Sequence, residues 1–333
     1  MLKLVALCGL GLLVVVVAAL AVAYWYSLSL PGESYAGEPP TVTEAERDLA
    51  AQLRRHVTAI ASEPHNVAHY AALEKSAAYI ENELRTLGYT PVAQIYDVGG
   101  KSVRNIAVEL APPGADASTP SIVVGAHYDS YGNAPGANDN GSGSAAVIEL
   151  ARLMKDVPLK DKRLRLVLFV NEEPPYDRTP DMGSYRYAKS LKDAGEKVVG
   201  MISLETIGAF SDKPGTQKYP SPFNLIFADV ANFVAFVALP GGRSFLHEVV
   251  GGFRRHAQFP TIGGTAPDFV DGVGWSDHWS FYVLGYPAIM ITDTALFRYR
   301  EYHTPGDLPD KVDYEKLARI TIGIEKALRD ILN

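Results

Sequence analysis

The chain opens on an unbroken apolar run of 20 residues, Leu4 to Ala23, followed at once by Tyr24, Trp25 and Tyr26. Roughly 20 apolar residues span a bilayer as a helix, and aromatic rings collect at its interfaces. Residues 1–28 therefore read as a membrane anchor. A removed signal peptide is the alternative, because Ala21-Val22-Ala23 makes an A-x-A pattern, although such apolar regions usually run only about 7 to 15 residues. Lys3 precedes the run and Glu33, Glu38, Glu44 and Glu46 follow it, which sets the N-terminus inside and the bulk on the extracytoplasmic side. Cys8 reads as a small apolar member of the helix rather than a lipidation site.

Residues 29–42 hold Pro31, Pro39, Pro40 and two glycines without periodicity, the pattern of a linker. From 43 to 333 the pattern is that of one folded domain. Thr43 with Glu46 forms a capping box before an amphipathic stretch to about Ser62, and Tyr70 to Gly88 predicts a second helix. Apolar runs at Asn105–Leu110, Ser121–Ala126, Leu164–Val170, Val198–Leu204, Asn224–Phe227 and Ala288–Ile291 predict strands. Helical stretches lie at Gly143–Lys155, Tyr185–Ala194, Phe245–His256 and Tyr314–Leu332. The expected fold is α/β: a mostly parallel, mixed central sheet with helices on both faces. Phe223 to Leu239, interrupted by Asn224, Asp229 and Asn232, is expected to hold a buried strand rather than a second membrane span.

Composition narrows the chemistry. With 31 basic and 38 acidic side chains the formal charge is −7, which removes the electrostatic drive toward nucleic acid. The single cysteine excludes an internal disulfide and a cysteine-rich metal site, so any metal must sit on histidine and carboxylate. A serine hydrolase needs a GxSxG turn, and neither GSGSA at Gly141–Ala145 nor GWSDH at Gly274–His278 has that spacing. His65 and His69 stand four apart, but Asn66 occupies the position where an HExxH motif needs Glu.

Polar side chains gather where the apolar runs end: His127 and Asp129, Glu172 and Glu173, Glu205. Asp139 in GANDNGSG and His303 in YHTPGD lie in loops. Active sites of open α/β sheets sit beyond the carboxyl ends of the strands, where such loops meet. Neighbours on a strand point to opposite faces, so Glu172 and Glu173 are expected to do different jobs. Two carboxylates forced together raise each other's pKa, and a divalent cation removes that difficulty.

HYD at His127–Asp129, GANDNGSGSAAVIELAR from Gly136, NEE at Asn171–Glu173, MGSYRYA from Met182, SLETIG from Ser203, SDHWSF from Ser276 and YHTPGDLPD from Tyr302 together resemble the M28 family of zinc aminopeptidases, over about Leu53 to Ile331. The resemblance implies a membrane-tethered exopeptidase that removes N-terminal residues from peptides. It implies two zinc ions bridged by Asp139, with His127 and Glu205 completing one set and Glu173 and His303 the other. Glu172 would be the general base acting on a metal-activated water, and Asp129 would orient His127. The family most often has Asp where this chain has Glu205. Asp277 and His278 are left outside the ligand set, and Tyr131, Tyr176, Trp275, Phe281 and Tyr299 neighbour the motifs as candidate pocket walls. Two other readings accompany the first: a glutaminyl cyclase using a single zinc, and a non-catalytic binding domain of the same fold.

Overall fold

The computed structural model describes residues 2–221 and 223–333, with side chains from residue 11 onward, so the side chain of Cys8 lies outside the described residues. Helix α1 (Leu2–Leu28) carries no charged residue after Lys3. Its stretch Gly11–Leu28 has mean hydropathy 2.2 and no part of it is buried, long and apolar enough to cross a membrane.

Thr43 caps α2 (Glu44–Ile60). Its Oγ accepts the Glu46 N–H at 3.2 Å while Glu46 accepts the Thr43 N–H at 2.7 Å, a reciprocal cap worth about 1 kcal/mol. After α3 (Tyr70–Thr86), the strands β1 (Val92–Val98) and β2 (Lys101–Leu110) form a hairpin around Gly99 and Gly100. Both glycines have positive φ, as a tight hairpin turn requires. The chain continues through β3 (Ser121–His127), α4 (Gly143–Met154), β4 (Arg163–Phe169), α5 (Gly183–Asp193) and β5 (Val198–Glu205). It ends with β6 (Val234–Ala238), α6 (Arg243–His256), β7 (Thr261–Thr265), α7 (His278–Val283), β8 (Ala288–Thr292), α8 (Ala295–Arg298) and α9 (Tyr314–Leu332).

The eight strands make one sheet in the order β1-β2-β4-β3-β5-β8-β6-β7. The centre, β4-β3-β5-β8, is parallel, as is β6-β7, while β1-β2, β2-β4 and β8-β6 are antiparallel. Alternate residues of β3 serve different cores. Ile122 and Val124 pack with Leu53, Ile80, Ile148, Phe253 and Leu328 from α2, α3, α4, α6 and α9. Val123 faces the other way, with Leu191 of α5 and Phe281 of α7. Helices thus cover both faces, which is why the central strands are apolar throughout.

Two strand expectations need correction. Asn224–Phe227 is not a strand: Phe223–Leu225 forms a short 3-10 turn, and the strand of this region is β6, whose VAFVA sequence is largely buried. Strands β1 and β7 were not expected. β1 is an edge strand with mixed exposure, and β7 (TIGGT) carries two glycines in five residues.

Candidate metal centre

β3 ends at His127, held by a hydrogen bond from Ser144 Oγ of α4 to the His127 carbonyl at 2.6 Å. His127 Nδ1 lies 3.0 Å from the Asp129 carbonyl. A carbonyl can only accept, so Nδ1 donates there and Nε2 is the ring nitrogen left to face the carboxylates. Toward that Nε2 point Glu205 Oε2 at 3.3 Å, Asp139 Oδ1 at 3.4 Å and Glu172 Oε2 at 3.8 Å.

Asp139 sits in the buried turn 137–142 between β3 and α4. Its second oxygen, Oδ2, lies 3.1 Å from His303 Nε2, which is 3.3 Å from Glu173 Oε1. One carboxylate therefore serves two clusters, His127–Asp139–Glu205 and Asp139–Glu173–His303. A third grouping, His127–Glu172–Glu173, lies beside them, and in each the donor atoms are within 4.8 Å of one another. The turn is fixed from outside: Asp307 accepts the main-chain N–H groups of Asn138 at 2.8 Å and Asp139 at 3.0 Å. Asn140 Nδ2 donates to the Leu204 carbonyl at 2.8 Å and its Oδ1 accepts the Thr206 N–H at 3.1 Å, tying the turn to the end of β5. Only glycine fits at 143, because a Cβ there would strike the Leu204 carbonyl.

Three non-glycine residues with left-handed backbone flank the donors: Asn171, Thr206 and His303, at φ 60°, 45° and 59°. Such residues cost of order 1–3 kcal/mol each and concentrate at functional sites. The His303 ring is stacked on both sides, against Tyr131 at 3.9 Å and Tyr302 at 3.8 Å between centroids.

The electrostatics are those of an overcrowded acid cluster. Burial, reinforced by Glu173 and Glu205 against the pull of His127, holds Glu172 well above the carboxylate range. Burial and the charge of Asp139 push Glu173 up to about 8. Burial works against a charge on His127 and His303, yet the surrounding carboxylates prevail, holding His127 well above its ordinary value and His303 up to about 10. Asp139, despite burial, is held below the carboxylate range by the two imidazoles.

The structure thus brings His127, Asp139, Glu172, Glu173, Glu205 and His303 together, with two differences from expectation. The Asp129 carboxylate lies 3.7 Å from His127 Nδ1 and instead accepts the main-chain N–H groups of Glu172 at 3.1 Å and Glu173 at 3.3 Å. Its carbonyl, not its carboxylate, orients the imidazole. Glu172 and Glu173 do not leave on a strand either: β4 stops at Phe169, and it is the turn at Asn171 that sends them to different histidines.

Of the candidate walls, Trp275 lines a cavity next to Glu205, Tyr131 stacks on His303, and Tyr299 donates to Asp307 at 2.8 Å. Phe281 is buried in the smaller core and Tyr176 packs against the larger one. His65 and His69 lie outside all three donor groupings; the His65 N–H donates to Ser130 Oγ, and His69 Nε2 lies 3.1 Å from Asn133 Oδ1. Asp277 is fully buried near the centre, and burial, with His127 opposing, pushes it up to about 7. Two groups were not singled out from sequence, Ser276, which donates to Glu205 Oε2 at 2.8 Å, and Asp307; both lie inside quoted motifs.

An α/β domain with a buried histidine and carboxylate cluster beyond the carboxyl ends of its parallel strands is the architecture of a metallohydrolase. The model of peptidase family M28 matches residues 105–328, and the chain belongs to that family, as its motifs implied. The uncharacterized protein YfbL of Escherichia coli (strain K12) is 34% identical over 296 residues, which cover 86% of this chain and 88% of YfbL. Leucine aminopeptidase 1 of Trichophyton equinum is 27% identical over 270 residues, 75% of this chain and 66% of that enzyme. Two solved structures share the fold at 18% identity. The aminopeptidase from Aneurinibacillus sp. strain AM-1 has a TM-score of 0.66 over 85% of this chain and 94% of its own. Fimbriiglobus ruber glutaminyl cyclase has a TM-score of 0.63 over 91% and 99%.

Proposed function

We propose that the protein is a zinc-dependent aminopeptidase, held on the extracytoplasmic side of a membrane by α1, that removes N-terminal residues from peptides. The observation that carries this reading is the pair of histidine and carboxylate clusters sharing Asp139. Tetrahedral zinc with ligands at about 2.0–2.2 Å sets its donor atoms about 3.3–3.6 Å apart. The separations in this structure are 3.3 and 3.4 Å around His127, and 3.1 and 3.3 Å around His303. Asp139 Oδ2, Glu173 Oε1 and His303 Nε2 are buried without an aligned hydrogen-bond partner although they are close to one another. Donors this close that make no hydrogen bond to one another support a shared ion between them.

His127, Glu205 and Asp139 would hold one zinc, and Asp139, Glu173 and His303 the other. When bound, zinc supplies Lewis acidity toward the scissile carbonyl and makes water acidic enough to react near neutral pH. Glu172, outside both sets, takes a proton from the attacking water and delivers it to the leaving amine. Asp129 holds the Glu172 and Glu173 main chain, which keeps the base and the neighbouring ligand in register. The leucine aminopeptidase name of a relative supports action on the first peptide bond.

The test is release of amino acids from a panel of amino-acid arylamides by the zinc-loaded full chain, with and without chelator. Chelator-sensitive release of free amino acids is expected. Chelator-insensitive release would contradict the metal mechanism. One tightly bound zinc with cyclisation of N-terminal glutamine, and no amino-acid release, would favour the cyclase reading instead.

A further inference from the structure

The membrane helix and the metal centre share a cavity. From Glu205 and Tyr302 it runs across β8, β6 and β7 to Leu28, the last residue of α1, with Phe223 and Trp275 among its apolar walls. Leu225, between the lining residues Phe223 and Phe227, and Phe269, next to the lining residue Val270, are 83% and 84% exposed; Ile226 is exposed too, as is Leu296 on the cavity's own wall. Bulky apolar side chains gathered in water mark an interaction surface.

What covers that surface follows from how α1 is joined to the domain. Arg243 Nε donates to the Tyr26 carbonyl at 2.7 Å, its Nη2 donates to Ser29 Oγ at 2.9 Å, and its guanidinium lies 4.5 Å from the Tyr26 ring centre. Gly264 of β7 lets the end of α1 approach so closely that a Cβ there would strike the Ser27 carbonyl. Beyond the helix, Arg254 donates to the Pro31 carbonyl at 3.1 Å and the Thr261 N–H to Ser34 Oγ at 2.8 Å. The anchor is spliced onto the domain rather than joined by a free tether. With Tyr24, Trp25 and Tyr26 at headgroup depth, Leu28 stands about 3 Å of helix rise further on. The far wall of the cavity therefore begins at the lipid surface.

We propose that the loops bearing Leu225 and Phe269 rest in the lipid interface and that the cleft takes its substrates from there, as amphipathic peptides adsorbed on or tethered to the bilayer. This rests on the aminopeptidase reading and on retention of α1. Apolar side chains on a surface beside a spanning helix insert at the boundary between headgroups and acyl chains, and a substrate held in that layer is concentrated at the mouth.

The test uses the full chain in vesicles of phosphatidylethanolamine and phosphatidylglycerol. Nitroxide labels are attached at Leu225→Cys, Phe269→Cys and, just before β4 and five strands across the sheet from β7, Asp161→Cys, each with Cys8→Ser. Labels at 225 and 269 should collide preferentially with oxygen, and the label at 161 with a water-soluble nickel chelate. Identical behaviour at all three positions overturns the lipid contact. In a second arm, Leu225→Ser/Phe269→Ser should leave hydrolysis of a soluble leucine arylamide unchanged. It should lower kcat/KM at least about tenfold for a peptide with a free N-terminus and a C-terminal acyl chain in the same vesicles. Equal loss on both substrates, or none, overturns the substrate assignment. Absence of any cleavage by the wild-type chain overturns the peptidase reading and the substrate class with it, while the labels decide the lipid contact independently. A mature chain found by mass to begin at Tyr24 overturns the retained anchor.

Discussion

Asp307 accepts the main-chain N–H of Asp139 on Oδ2 at 3.0 Å, so a residue with no donor atom in either cluster sets the position of the one carboxylate common to both. Its other oxygen takes the Asn138 N–H and the Tyr299 hydroxyl, both at 2.8 Å. Asp307→Asn turns an NH2 group toward donors and loses at least one of these bonds. Groups that orient metal ligands typically matter about 10- to 100-fold in affinity, so zinc binding should weaken by that factor. Competition with a chromogenic chelator measures it, and an unchanged Kd would refute the role.

Glu172→Gln keeps the shape of the side chain but removes the proton acceptor. We expect kcat to fall at least about 100-fold, with zinc content unaltered. Retained turnover, or loss of metal in parallel with activity, would remove Glu172 from the role of base.

Glu205 reaches its place by length: Oε2 lies 3.3 Å from His127 Nε2 and accepts a hydrogen bond from Ser276 Oγ at 2.8 Å. Glu205→Asp retracts the carboxylate by one methylene and separates it from that serine. The variant should bind the zinc of the His303 cluster and lose affinity for the one at His127, read as a drop toward one equivalent by elemental analysis. Ser276→Ala should do the same more weakly. Two equivalents at undiminished affinity in both variants would show that the extra methylene carries no function.

The metal-free protein should lose thermal stability as pH rises from about 5 to about 8. Burial pushes Glu173 up to about 8 and Asp277 and Asp307 up to about 7. A carboxyl with a raised folded pKa stabilises the fold while protonated, and that contribution drains between its unfolded value near 4 and its folded value. His303, charged up to about 10, and His127 act with the same sign, losing their contribution above about 6.5. Asp139, shifted downward, is ionised throughout this window and adds no slope. Zinc replaces the bound protons, so the rise in melting temperature on adding zinc should grow over the same range. A metal-free Tm that climbs from pH 5 to pH 8 would contradict this account.

Much of the centre was legible because its donors sit at ends of apolar runs: His127 closes β3 and Glu205 closes β5, and parallel strands deliver their carboxyl ends to one edge. The helices were legible from caps and amphipathic spacing, as at Thr43. Other parts depend on backbone geometry that side-chain pattern does not encode. The alternation argument for Glu172 and Glu173 assumed a strand that already ends at Phe169, and which atom of Asp129 meets His127, its carbonyl, is set by the backbone. The β1 strand was missed although Gly99-Gly100 is a hairpin signal, because its exposed edge dilutes the apolar pattern. Asn224–Phe227 misled in the opposite way: an apolar cluster there stands out from the surface instead of filling the core.

The imidazole of His303 is gripped between the rings of Tyr131 and Tyr302 and mounted on a left-handed residue, so it has nowhere to swing. Together with the braced turn at Asp139, this makes the cage stiff before any ion arrives. Capture of a cation should then be governed by how quickly the ion sheds its own hydration water, and scavenging from dilute surroundings would carry no penalty for reshaping the chain.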